Sequence, residues 1–227
     1  GPGCVHLGIN NIHKVGAIGI PGYRWQCKIV KDNPIPQKST TVCDNLCQLG
    51  HSESVDYNLC EVRQGEVGEL AVKGPGVMKC YYNDPRATAE VLKGDWLLTG
   101  DMARQDADGF IYLVDRKKDV IVSGGENIYP VQIEDFIRKC DAVKDVAVIG
   151  LPDRRLGEIA AAIIELKPNH YATEDDINNF CNDLPRYKRP KKIIFADVPR
   201  NATGKIEKPA LRKRYGADNL VAKEFNS

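Results

Sequence analysis

The sequence predicts an α+β fold in two successive parts, and three observations carry that prediction. Up to Val114 the chain offers short strand candidates broken by glycine and proline, with one short helix among them. At Asp115 the pattern changes, and five of the six residues 115–120 are charged. Beyond that run, amphipathic helices alternate with apolar strands, as in a small sheet covered by helices.

In the first part, Arg24 to Val30 reads as a strand. Glu69 to Lys73 resumes that character and ends at Gly74-Pro75-Gly76. Residues 31–64 between them are polar, hold cysteines and show no clear period, which fits either an ordered insertion or a mobile excursion. Asp84 and Pro85 supply an N-cap and a first-turn proline for a helix through Leu92. Trp96–Thr99 and Phe110–Val114 form paired strands, joined through the turn residues Asp106-Ala107-Asp108-Gly109. Such strand-rich material does not bury both faces of its sheet unaided, which points to further protein covering it.

In the second part, the run Asp115–Asp119 reads as a mostly solvated stretch between strands, and Val120–Ser123 follows as a strand. Gly124-Gly125-Glu126-Asn127 reads as a turn. Pro130 opens a helix with Ile133, Phe136, Ile137 and Cys140 on one stripe. Val146–Leu151 and Ile159–Leu166 are strands. Thr173, with Asp176 three residues on, caps a helix carrying Ile177, Phe180, Cys181 and Leu184, which Pro185 stops. Ile193–Phe195 is a further strand, and Pro209 starts a last, basic helix.

Composition excludes several classes. With 32 basic and 31 acidic residues, no overall field favours nucleic acid or an anionic membrane. The longest apolar run, Ile159–Ile164, is too short to cross a bilayer, and no signal-peptide pattern opens the chain, so a cytoplasmic location is expected. Of the eight cysteines, five (Cys4, Cys27, Cys43, Cys47, Cys60) precede Glu61. They read as thiols in a reducing compartment. The alternative is a zinc set of Cys43, Cys47, His51 and Cys60, whose residue types suit the metal but whose spacing misses the two-residue cysteine knuckle.

The chemistry-bearing candidates each allow two readings. Asp101 is a ribose-binding carboxylate at a strand end or a turn aspartate bonded to its own backbone. Arg116 forks onto a phosphate or ribose, or belongs with Lys117 to a solvated face. Asp115 is a linker pivot or a charged hairpin edge. Gly124 and Gly125 let a narrow ligand arm pass close to the backbone, or simply reverse the chain. Lys205, in Pro199-Arg200-Asn201-Ala202-Thr203-Gly204-Lys205-Ile206, is a point charge delivered to an anion or a surface lysine. There is no GxxxxGK[ST], GxGxxG or HExxH, and no histidine spacing that suggests a hydrolytic triad.

Taken together and in order, these segments resemble a known family. They are Gly65-Glu66-Val67-Gly68-Glu69-Leu70, Gly74 to Tyr82, Trp96-Leu97-Leu98-Thr99-Gly100-Asp101, Gly109 to Asp119, Ser123-Gly124-Gly125-Glu126-Asn127-Ile128-Tyr129-Pro130 and Pro199 to Ile206. The chain is similar to the C-terminal portion of an acyl-CoA synthetase of the adenylate-forming (AMP-binding) enzymes. The resemblance covers nearly all of the chain outside 31–64. It departs from the family pattern at Pro130-Val131-Gln132-Ile133-Glu134, where a glutamate is usual at Gln132.

The resemblance implies that residues 4–114, with a cysteine-containing insertion at 31–64, are the strand-rich last subdomain of a large N-terminal AMP-binding domain. Residues 115–216 would then be the small mobile α+β C-terminal lid domain, and 217–227 a tail. It implies that Asp101, Leu113 and Arg116 bind the nucleotide, that Asp115 is the hinge, that Gly124 and Gly125 line the pantetheine channel, and that Lys205 is the adenylation lysine. ATP, Mg2+ and CoA are the implied cofactors, and a carboxylic acid is the substrate. The family's phosphate loop and acyl-binding wall would lie upstream of Cys4, so this chain alone is expected to be inactive. Two alternatives stand beside this reading: an adenylate-forming enzyme that loads a carrier protein, and a non-catalytic binding module.

Overall fold

The computed structural model describes residues 4–5, 13–31 and 59–221, without the side chains of Val5 and of 217–221. Its described residues form an α+β fold that divides into two compact units, Gly1–Lys117 and Lys118–Ser227.

The first unit is built on strands β1 (Cys4–Val5), β2 (Ala17–Pro21), β3 (Gln26–Val30), β4 (Gly68–Lys73), β5 (Leu92–Lys93), β6 (Trp96–Gln105) and β7 (Ile111–Arg116). Among the described residues they form one sheet in the order β1-β2-β7-β6-β4-β3, with β5 on β6. Alternation sorts the apolar residues: Ile29, Leu70, Ala103 and Ile111 cluster together, whereas Val30, Leu59, Ala71 and Leu98 form a separate cluster. β1 and β3 stand at opposite ends of the hydrogen-bonding order, yet Cys4 Sγ lies 4.0 Å from Cys27 Sγ, so the sheet curls until its ends meet.

Three details differ from the sequence expectation. β3 starts at Gln26 rather than Arg24, because Arg24 sits at φ 66° in a turn closed by the Trp25 N–H donating to Gly22 O at 2.9 Å. β6 does not stop at Thr99. It passes through Gly100 (φ 73°) and a register shift at Met102/Ala103, so Asp101 lies inside the strand. The 31–64 segment is tied down at its far end, where Val62 N–H donates to Ile29 O and Lys31 N–H to Cys60 O, both at 2.9 Å. Residues 32–58, with Cys43, Cys47 and His51, lie outside the described residues. Helix α1 (Pro85–Val91) follows its local signals, with the Asp84 side chain accepting from Ala87 N–H at 2.9 Å.

The second unit contains β8 (Ile121–Ser123), β9 (Glu126–Ile128), α2 (Pro130–Ile137), β10 (Val143–Asp153), β11 (Gly157–Leu166), α3 (Glu174–Phe180), β12 (Lys192–Phe195) and α4 (Lys208–Val221). Its sheet runs β10-β11-β8-β9, with β12 parallel to β11. Val146, Val148, Ala160, Ala162 and Ile164 pack with Ile133 and Ile137 of α2 and Ile177 of α3. The alternate residues Ala147, Ile149, Leu151, Ala161 and Ile163 pack with Leu211 of α4. Helices thus cover both faces, which is why β10 and β11 read as nearly continuous apolar runs.

Here Glu126 and Asn127 belong to β9, leaving Gly124-Gly125 alone as the turn. Thr173 and Asp176 form a full capping box. The segment expected as a tail begins inside α4, whose backbone continues to Val221. Gln132 is exposed and accepts from Lys188 Nζ at 2.7 Å.

Candidate functional site

In the first unit, the register of β6 on β7 sets Asp101 opposite Arg116, and Arg116 Nε donates to Asp101 Oδ1 at 2.8 Å. Arg116 is 58% exposed and Asp101 27%. A pair this open is worth about 0–1 kcal/mol, so a polyol or phosphate can take the place of either partner at small cost. Leu113, also on β7, is 47% exposed and offers an apolar surface on the same strand.

Around Asp101 the backbone is held from β4. Thr99 Oγ1 donates to Leu70 O at 2.9 Å and accepts the Asp101 N–H at 3.1 Å. Gly100 N–H donates to Glu69 Oε1 at 3.1 Å, while Glu69 Oε2 accepts from Lys117 Nζ at 2.8 Å. Glu69 is only 4% exposed. Sequence reasoning passed over it, because its alternating position in a strand gives no sign of partners 31 and 48 residues away.

The charged run is only partly solvated: Arg116 and Lys118 are exposed, while the others are buried or half-buried. Asp115 is buried, pairs with Met102 in the sheet, and accepts the Arg116 N–H at 2.7 Å. Lys117 meets Glu69, and Asp119 accepts from Arg212 at 2.7 Å. The short strand β7 and a single 3-10 turn (Lys117–Asp119) place these charges against partners distant in sequence.

In the second unit, Gly124 and Gly125 adopt φ of 60° and 88°. A Cβ on Gly124 would lie 3.2 Å from Leu156 Cδ2, whereas one on Gly125 would enter open space. The turn is anchored by Gly124 N–H donating to Leu156 O at 2.8 Å. It therefore offers a bare, fixed stretch of backbone beside free volume.

Lys205 sits on an ordered turn in the same unit. Asn201 Oδ1 accepts from Thr203 N–H (3.0 Å), Thr203 Oγ1 (2.7 Å) and Lys205 N–H (2.9 Å). Asn201 N–H closes the ring onto Lys205 O at 2.9 Å. Arg200 braces it from behind, with Nε on Asp145 Oδ2 at 2.8 Å and a terminal nitrogen on Gly204 O at 2.5 Å. The Lys205 side chain is exposed at the end of this turn, a cation on a stiff mount.

Among the described residues no group of three or more His, Cys, Asp or Glu side chains could hold a metal ion. Cys60, the described member of the possible zinc set, is exposed. Elsewhere Cys4 and Cys27 influence each other: the Cys27 thiol hydrogen bond draws the Cys4 pKa down to about 7, while the Cys27 pKa is pushed up by Cys4 and by burial. Among the described residues no helix is long and apolar enough to cross a membrane.

Residues 132–205 match the model of the AMP-binding enzyme C-terminal domain. The chain is 47% identical over 158 residues to a long-chain-fatty-acid–CoA ligase, FadD13, of Mycobacterium tuberculosis, covering 69% of this chain and 31% of that protein. It is 35% identical over 205 residues to the 2-succinylbenzoate–CoA ligase of a Geobacillus species, covering 89% and 36% respectively. Among solved structures, the o-succinylbenzoate-CoA synthetase of Bacillus subtilis with its acyl-adenylate intermediate matches with a TM-score of 0.74 at 30% identity, over 92% of this chain and 38% of that one. The chain thus spans about a third of the length of the relatives it matches. It belongs to the adenylate-forming, AMP-binding enzyme family, whose C-terminal domain it carries.

Proposed function

We propose that the protein carrying this chain activates a carboxylic acid with ATP to an acyl-adenylate and then transfers the acyl group to CoA. The observation that carries the reading is the Lys205 turn, an exposed cation fixed by Asn201 and Arg200 inside the matched C-terminal domain. Attack of a carboxylate on the α-phosphorus gathers negative charge between two anions, and a mounted lysine stabilises it without reorganising. In this reading Asp101 accepts from the ribose hydroxyls, Arg116 contacts ribose or phosphate, and Leu113 packs beside the nucleotide. The bare Gly124-Gly125 backbone passes the pantetheine arm of CoA in the second step. The described residues supply no cluster for Mg2+ and are given no part in holding it.

One cleft performing both steps requires Lys205 to withdraw after adenylation. The proposed pivot is Asp115, and the boundary between the two compact units two residues further on supports that reading. CoA is favoured over a carrier-protein thiol because the relatives compared above are CoA ligases. Assays with CoA and with a holo-carrier separate the two acceptors. For the main reading, Lys205→Ala in the full enzyme should abolish adenylation yet spare thioester formation from supplied acyl-adenylate. Equal loss of both half-reactions sinks the assignment. The 227-residue chain by itself should show no ATP–pyrophosphate exchange above background with any carboxylic acid.

A further inference from the structure

We infer that Glu69 is a positioning residue for the nucleotide, one buried carboxylate that fixes Asp101 through Gly100 and Arg116 through Lys117. The inference rests on the nucleotide reading of Asp101 and Arg116 given above. Each oxygen of Glu69 holds the immediate neighbour of one of those residues: Oε1 takes the Gly100 N–H at 3.1 Å, and Oε2 takes Lys117 Nζ at 2.8 Å. The Gly100 contact matters because Gly100 sits at φ 73°, a conformation that turns the chain just before Asp101 and needs an external tether inside a strand. The Lys117 contact matters because β7 ends at Arg116 and Lys117 opens the following 3-10 turn, so a tether there fixes the point where the strand gives way to the turn.

Burial makes the arrangement stiff. Glu69 is 4% exposed, so water competes poorly for either bond, and a carboxylate in that position needs its cation. Asp115, also buried, takes the Arg116 N–H at 2.7 Å, whereas Glu69 reaches the neighbours of both Asp101 and Arg116. Glu69 touches no substrate atom in this scheme. It sets the separation and orientation of two groups that do, so its loss should be felt in nucleotide binding before it is felt in acyl or CoA binding.

The test uses the full enzyme and reads KM for ATP, acid and CoA separately. Glu69→Gln keeps an oxygen for the Gly100 N–H but turns an amide donor toward Lys117, so it breaks one side of the bridge selectively. Glu69→Gln should raise KM for ATP about ten-fold, as the loss of one charge-assisted hydrogen bond implies, with KM for acid and CoA within about two-fold. Lys117→Met, a change at a partly exposed residue, should give the same split, and the double variant should be no worse than either single one. The last two results together distinguish positioning from a general loss of fold. Glu69→Gln and Lys117→Met changes that move all three KM values alike, or none, overturn the inference. Asp101→Ala is the control: if it raises KM for ATP while Glu69→Gln does not, Glu69 alone is misassigned; if it leaves KM for ATP unchanged, the nucleotide reading itself falls.

Discussion

Replacing Asn201 by alanine tests whether the Lys205 turn is a mount rather than an incidental loop. The substitution removes one oxygen that accepts three hydrogen bonds, from Thr203 N–H, Thr203 Oγ1 and Lys205 N–H. The backbone ring between Asn201 and Lys205 and the Arg200 brace both survive it. Each lost bond is worth about 0.5–1.5 kcal/mol net, and water on this exposed turn replaces part of that, which leaves about 1–2 kcal/mol. A difference of that size lowers the ratio of ordered to disordered turn by roughly 5–30-fold. The assay is ATP–pyrophosphate exchange in the full enzyme, with thioester formation from supplied acyl-adenylate as the internal control. Exchange should fall, by at most roughly 30-fold, while the control stays within about two-fold. A variant that keeps full exchange shows that the turn contributes no order to Lys205. One that loses both half-reactions equally shows that the damage is global.

Further outcomes follow from other contacts. Glu134 is 4% exposed and its Oε1 accepts from both Val148 N–H and Lys208 Nζ at 2.8 Å, so Glu134→Ala strands a buried cation and should cost about 3–5 kcal/mol, read as a large drop in the unfolding midpoint of the second unit. Asp106 accepts from Lys14 and from the Asp108 and Phe110 N–H groups, which hold its pKa below the ordinary carboxylate value. Its stabilisation is present above the unfolded-state pKa and disappears as pH falls through the lower folded-state value, so Asp106→Asn should remove part of the acid-induced loss of stability below about pH 4 seen by circular dichroism. Alkylation of Cys4 by iodoacetamide should follow a titration near pH 7 that moves upward in Cys27→Ala; a midpoint unaffected by that change contradicts the thiol–thiol hydrogen bond. Gly124→Ala must fit a Cβ 3.2 Å from Leu156 Cδ2 at φ 60°, and should impair thioester formation more than adenylation.

The parts of this fold legible in the sequence are those set by local chemistry. Asp84, Pro85, Thr173 and Asp176 announce α1 and α3 because capping is decided within four residues. The core stripe of α2 and the nearly continuous apolar runs of β10 and β11 were equally plain, since burial on one face or on both sets the pattern. Gly100 misled, because glycine in a strand reads as a stop, whereas here it carries a bend inside β6 that keeps Asp101 in register with Arg116. The parallel pairing of β12 on β11 left no mark, since its partner lies about thirty residues back across α3. The candidate residues Asp101, Arg116 and Lys205 were visible by motif, but the groups that hold them were not. Glu69 and Asp145 act on residues dozens of positions away, and nothing in their own neighbourhoods records it.

The Glu134 contact has a consequence for solubility. β10 is an eleven-residue, largely apolar strand at the border of its sheet, and its outward N–H groups could pair with another chain. Two of them are instead occupied from within: Val146 N–H by Asp145 Oδ1 at 2.9 Å and Val148 N–H by Glu134 Oε1. The short helix α2 therefore works as a stopper on a sticky rim. Anything that lifts it, whether heat or a substitution at Ile133 or Ile137, would uncover a ready template for intermolecular strand pairing before the rest of the unit has melted.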